Sequence, residues 1–153
     1  MSVGPLEVWP PVVLAPMAGV TNTAFRTLCR SYGAGLYVTE MVTARALVEG
    51  NAKTMAMVRP APGETPRSVQ LYAVNPDTLA VAIRRLVDDV GVDHIDFNLG
   101  CPAAKVTRKG GGSALPLHPV LLRRLLAAAV RAAGDVPFTV KFRLGVSDDY
   151  LTY

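Results

Sequence analysis

Cysteine is scarce in this chain. Cys29 and Cys101 are the two present among 153 residues, and neither belongs to a C-x-x-C or Cys–His cluster. That argues against a disulfide-stapled secreted scaffold and supplies no zinc-site spacing, so no metal is expected. Long apolar runs are missing too. The best candidate, Val12 to Val20, is broken by Pro16 and Gly19 and falls well short of the roughly 18 residues of a spanning helix, so no membrane partner is expected. No basic residue precedes Arg26, so the positive start of a signal peptide is not seen. Scarce cysteine and the missing leader predict a reducing, cytoplasmic setting. Finally, no G-x-G-x-x-G follows the first apolar run, which weighs against an open-sheet dinucleotide-binding fold.

What is present is apolar residues in short blocks. Half the chain is hydrophobic and the mean hydropathy is +0.29, high values for a self-contained soluble domain, where surface helices usually carry more charge. Parallel strands covered on both faces read as near-continuous apolar runs and account for this. A net charge of +4 and a pI near 9.3 permit a polyanionic partner without requiring one.

Five strand-like runs alternate with helical segments. Pro11–Ala15 is the first run. A helix over about Thr23–Tyr32 follows, with Phe25, Leu28, Cys29 and Tyr32 on one face and Gly33 at its stop. Gly35–Thr39 is the second run, followed by a looser helical stretch from Ala44 to Met57 and a loop from Arg59 to Thr65. Ser68–Tyr72 precedes the best-capped helix, with Asn75 as N-cap, Pro76 at the first turn and Gly91 just past the end. Val92–Phe97 is the fourth run. Gly110–Gly112 then lead to a helix carrying Leu122, Leu125, Leu126 and Ala129, stopped by Gly134 before Pro137–Phe142. Repeated βα units predict a parallel sheet, either doubly wound or a barrel. A complete (β/α)₈ TIM barrel takes about 250 residues, so the expectation is roughly the first five of eight strands, with residues 1–153 as the N-terminal portion of a longer barrel.

Barrel active sites gather where strands end. Those ends hold Met17, Glu40, Gln70, Asp96 with Asn98, and Lys141 with Arg143. Period two places Asp96 and Asn98 on one sheet face, and Lys141 and Arg143 on one face. Polar residues at a single strand end are ordinary; the recurrence over five strands points to a site. Cys101 leaves its strand in a Gly-Cys-Pro turn with Lys105, Arg108 and Lys109 close behind. An ordinary thiol is mostly protonated at neutral pH and can give a proton, and neither His94 nor His118 stands as an obvious base partner for a nucleophile. Cys29 reads as a small apolar residue of the first helix. Both histidines read as packing or solvent-exposed residues.

Five ordered segments carry a family resemblance: Leu14-Ala-Pro-Met-Ala-Gly-Val-Thr21 with Phe25-Arg26, Thr39-Glu-Met41, Gln70-Leu-Tyr72, Asn98-Leu-Gly-Cys-Pro102 and Val140-Lys-Phe-Arg-Leu-Gly145. From about Val12 to Gly145 the chain resembles the tRNA-dihydrouridine synthases. The resemblance implies an FMN cofactor, NADPH as reductant and tRNA as partner. It implies that Pro16, Met17 and Ala18 lie against the flavin ring, that Gln70 and Lys141 hydrogen-bond it, and that Cys101 is the proton donor. Asn98, with Arg143 on the neighbouring strand, would face the target uridine, turned out of the RNA to reach the ring. Lys105, Arg108 and Lys109 would hold phosphates beside the entrance, and the triple glycine would let its loop close over substrate. Asn22, Ala73 and Pro116 depart from the family pattern. The family's later His-Arg-Thr segment, its FMN-phosphate turns and its helical RNA-binding domain have no counterpart among these residues. Two other readings stand beside this one: an FMN barrel acting on a free pyrimidine or another small molecule, and an inactive remnant.

Overall fold

Side chains alternate across the central strands, and both faces of those strands are used. In the computed structural model, which describes residues 1–147 and 149–152, β1 (Ser2–Val3) and β2 (Leu6–Glu7) form an antiparallel hairpin. β3 (Val13–Leu14), α1 (Thr23–Arg30), β4 (Leu36–Val38), β5 (Val42–Thr43), α2 (Ala44–Val48), α3 (Ala52–Val58) and β6 (Arg67–Tyr72) follow. Next come α4 (Pro76–Arg85), extended by a π-helical turn over Leu86–Val90, β7 (His94–Leu99), α5 (Ala104–Thr107), a 3-10 segment over Gly112–Leu117, α6 (Pro119–Ala133) and β8 (Phe138–Phe142). β9 (Gly145–Ser147) and β10 (Tyr150–Leu151) make a second antiparallel pair.

The parallel strands run β3-β4-β6-β7-β8, with β5 also paired to β6. The sheet curls into half a barrel, which decides between the two arrangements that repeated βα units leave open. On its outer face Val69, Leu71, Ile95, Phe97 and Leu99 pack under Leu79 and Ile83 of α4 and Leu125 and Ala129 of α6. Burial of each large side chain there contributes about 1.5–3 kcal/mol. On the concave face Leu36 and Val38 meet Val8, with Val3 and Leu6 of the N-terminal hairpin against them.

The caps of α4 are as read: Asn75 accepts from the Thr78 N–H at 2.8 Å, Pro76 opens the first turn and Gly91 ends the segment with φ +70°. Three expectations are corrected. The stretch from Ala44 to Met57 is two helices, because Gly50 adopts φ +68° and Asn51 caps the second helix by accepting from the Thr54 N–H. The fourth strand begins and ends two residues later than expected, so Asn98 as well as Asp96 lies inside it. The stripe on α1 is not buried: Leu28 is 57% and Tyr32 83% exposed, and the residue that α1 buries is Arg26. Its partner lies far along the chain, beyond the reach of helical periodicity.

Candidate active site

The concave faces of β6, β7 and β8 are polar where a barrel interior is more often filled by branched apolar residues. Period two aims Ser68 and Gln70, then His94, Asp96 and Asn98, then Thr139 and Lys141, to this side. The parallel register sets Gln70 beside Asp96, Asp96 beside Thr139 and Asn98 beside Lys141. The polar groups join into one hydrogen-bonded row. The Gly100 and Cys101 N–H groups donate to Asn98 Oδ1 at 3.2 and 2.9 Å, and Asn98 Nδ2 donates to Gln70 Oε1 at 3.1 Å. Gln70 Nε2 donates to Asp96 Oδ2 at 2.6 Å, while the Thr139 hydroxyl donates to Asp96 Oδ1 at 2.8 Å. Beyond Thr139, His94 Nε2 lies 3.0 Å from its hydroxyl oxygen, and Ser68 Oγ lies 2.7 Å from His94 Nδ1.

Burial explains how these groups titrate. It pushes the Asp96 carboxyl above the ordinary range, against hydrogen bonds from Gln70 and Thr139 and the charge of Lys141. It lowers His94 to about 4, because a charged imidazole there would lose its hydration. His94 is therefore neutral near pH 7.

The turn after β3 is held from three sides. The Met17 N–H donates to Thr21 Oγ1 at 3.0 Å, and the Gly19 N–H to Glu40 Oε2 at 2.5 Å. Arg26 donates to the Thr21 carbonyl at 2.9 Å, and its guanidinium grips Glu64 from the loop before β6. Glu64 also accepts from the Ala61 N–H at 2.7 Å. Burial alone would raise the Glu64 carboxyl; hydrogen bonds from Arg26 and Ala61 and the charges of Arg26 and Arg30 outweigh it and hold the group below its ordinary value.

The Cys101 turn is shaped by glycine. Gly112 has φ +56°, and a Cβ there would stand 2.5 Å from the Cys101 carbonyl oxygen and 2.9 Å from a Val106 methyl. Ser113 N–H donates to that same carbonyl at 3.0 Å. At Gly111 a Cβ would press on the Tyr72 ring at 3.0 Å. Close approach of the backbone thus accounts for two of the three glycines.

The site residues named from sequence fall as follows. Asn98, Gln70 and the Cys101 backbone are directly linked. Pro16 and Lys141 line one cleft of about 240 Å³ together with Asp96, His94 and Thr139. Met17 is 39% exposed and Ala18 is exposed on the same turn. Cys101 is half-buried, and the stem of Arg143 passes over Gly100 beside it. Lys141 is on the expected face but exposed, because β8 is an edge of this sheet. Lys105, Arg108 and Lys109 are exposed on and after α5. His118 is exposed ahead of α6. Gln70, by contrast, is 1% exposed with both amide ends engaged.

Sequence reasoning missed Ser68, His94 and Thr139 as members of this row, although polar residues at period two on three successive runs carried the signal. It had no signal for the Arg26–Glu64 pair, whose members stand 38 positions apart. Among the described residues no helix is long and apolar enough to cross a membrane.

Comparisons with known proteins show which family the chain is similar to. Residues 13–153 match the dihydrouridine synthase (Dus) family model. A probable tRNA-dihydrouridine synthase of Mycobacterium tuberculosis is 52% identical over 100% of this chain and 42% of that protein. The corresponding Mycobacterium leprae protein is 48% identical over 92% of this chain and 44% of its own length. The tRNA-dihydrouridine synthase B of Xanthomonas campestris is 45% identical over 98% of this chain and 45% of that protein. The chain therefore spans less than half the length of these relatives. With its half-barrel and this match across nearly every residue, the chain belongs to the dihydrouridine synthase family.

Proposed function

We propose that residues 1–153 are the N-terminal portion of an FMN-binding barrel that reduces uridines in tRNA to 5,6-dihydrouridine with NADPH as reductant. The observation that carries this reading is the row that ties Gln70 and Asn98 to the backbone of Cys101 within one concave face. The residues present suit a flavin. Pro16, Met17 and Ala18 offer backbone and apolar contact on a turn pinned by Thr21, Glu40 and Arg26. Lys141 brings a positive charge to the cleft that Pro16 also lines, suited to an electron-rich ring. Held there and reduced by NADPH, FMN would supply the hydride for C6 of the uridine.

The chain's own residues do the rest. The Cys101 thiol gives its proton to C5, and the resulting thiolate regains one from solvent. Asn98 holds the Cys101 turn in place through two backbone N–H groups and keeps one Nδ2 hydrogen for the base. Arg143, with its stem over Gly100, faces the substrate from the residue just past β8. Lys105, Arg108 and Lys109 receive phosphates at the rim, and a reducing cytoplasm suits the free thiol.

The test uses tRNA lacking dihydrouridine, incubated with the protein, FMN and NADPH, with free uridine and uracil in parallel. Nucleoside mass spectrometry is expected to find dihydrouridine in the tRNA. Reduction of the free pyrimidine with tRNA untouched rejects tRNA as substrate.

A further inference from the structure

The direction of the hydrogen-bonded row is set at both of its ends. An amide side chain can exchange its oxygen and nitrogen at little steric cost, and only its partners decide which way it points. At one end two backbone N–H groups, Gly100 and Cys101, require an acceptor, so Asn98 presents Oδ1 to them and Nδ2 to Gln70. At the other end stands Asp96, both of whose carboxylate oxygens accept, Oδ2 from Gln70 and Oδ1 from Thr139. Gln70 must therefore turn Nε2 toward Asp96 and Oε1 toward Asn98, as found. The second arm obeys the same rule. Thr139 has one hydroxyl hydrogen and donates it to Asp96, so its oxygen accepts from His94, which carries its proton on Nε2. His94 Nδ1 then accepts from Ser68.

We propose that Asp96 is a positioning residue, the common acceptor of two arms, which fixes the sense of Gln70 and so braces Asn98, the Cys101 turn that Asn98 seats and the donor that Asn98 offers to substrate. This rests on the proposed role of Asn98 and Cys101. Asn98 then keeps an N–H for the ligand, which suits a ring carbonyl and not a ring amino group. The charged group facing Asp96 is Lys141 on β8, and the Met1 amino group lies on the Val8 carbonyl at 2.8 Å. Leu36, Val38 and Val13 close the cleft from β4 and β3 without charge.

Replacing Asp96 by asparagine distinguishes this from a merely structural carboxylate. Asn can still accept from Gln70 through Oδ1, but its Nδ2 must donate to Thr139. The Thr139 hydroxyl then donates to His94 Nε2, and the imidazole proton moves to Nδ1. Asp96→Asn thus keeps the first arm and reverses the second. Nitrogen-15 NMR of the protein reads this directly, with the exposed His118 as internal reference. The Nε2–H tautomer in wild type and Nδ1–H in Asp96→Asn are expected. The same tautomer in both, or a charged His94 near neutral pH, overturns the proposal.

The first arm has its own readout. In Asp96→Leu the side-chain amides of Gln70 and Asn98 should lose hydrogen-exchange protection, and kcat for dihydrouridine formation should fall about tenfold or more, the scale of one lost orienting hydrogen bond. Asp96→Asn should stay within about threefold of wild type by the same scale. Equal losses in the two variants overturn the positioning role. If Asp96→Leu does not fold, the tautomer of Asp96→Asn still decides. Wild type that makes no dihydrouridine removes the functional reading, while the NMR result judges Asp96 independently.

Discussion

The Arg26 guanidinium and the Glu64 carboxylate meet at 2.5 and 2.9 Å with only 1% and 3% of their side chains exposed. Breaking one side strands the other charge away from water, which typically costs about 3–5 kcal/mol. Arg26→Met or Glu64→Gln should therefore lower unfolding free energy on that scale and loosen the turn carrying Pro16, Met17 and Ala18. Arg26→Met combined with Glu64→Leu should recover much of the loss. Urea unfolding of the three variants checks this; a double variant as weak as the singles contradicts it.

His94 makes stability depend on pH. Its value is depressed from 6.5 to about 4, so the unfolded state takes up the proton first as pH falls. Its contribution is complete above about 6.5 and is lost as pH drops toward 4. Between pH 7 and pH 5 the loss should be about 2 kcal/mol. Asp96, raised by burial, acts in the opposite sense, since its contribution is present at low pH and lost as pH rises through its folded value. His94→Gln should flatten the wild-type slope between pH 7 and 5, measured by urea titration. An unchanged slope means that His94 is not the group responsible.

The two cysteines should separate cleanly. Cys101→Ala is expected to leave flavin binding and NADPH oxidation nearly intact while dihydrouridine formation falls by about 10² or more, the usual scale for losing a general acid. Cys29→Ala, at a half-buried position of α1 outside the hydrogen-bonded row, should change activity little. Equal losses from both reject the assignment.

Lys141→Met addresses the cofactor. Because Lys141 is exposed on an edge strand, its removal should not destabilise the protein without flavin. Affinity for FMN or the rate of flavin reduction should nevertheless fall about tenfold, the scale of one charge-assisted contact. Thermal melts paired with FMN titration decide it. Unchanged affinity and unchanged reduction rate remove Lys141 from the flavin site.

Gly112→Ala tests the shape of the Cys101 turn. The φ of +56° and a Cβ 2.5 Å from the Cys101 carbonyl leave no room for the new methyl. A loss of about 1–3 kcal/mol is expected from the strained backbone, with a larger fall in activity than in flavin affinity. A variant as stable and active as wild type shows that the turn can relax without cost.

Much of this molecule was legible in the sequence because the relevant patterns are local. Period two within a strand aims Asp96 with Asn98, and Asn75, Pro76 and Gly91 bound a helix through backbone hydrogen-bonding needs that act over a few residues. The ordered motifs from Leu14 to Gly145 carried the family. Local pattern could not say which polar side chains touch. Ser68, His94 and Thr139 become one arm only when parallel register sets three strands side by side, and burial on that face gives His94 its neutral state. Nor could it show that Arg26, on a helix whose apolar stripe pointed elsewhere, would be the buried residue, since its partner Glu64 arrives from another loop. Residue types and their spacing determined the strands, the caps and the candidate chemistry. The tertiary structure alone decided burial, hydrogen-bond direction and charge state, because each depends on atoms brought together from distant parts of the chain.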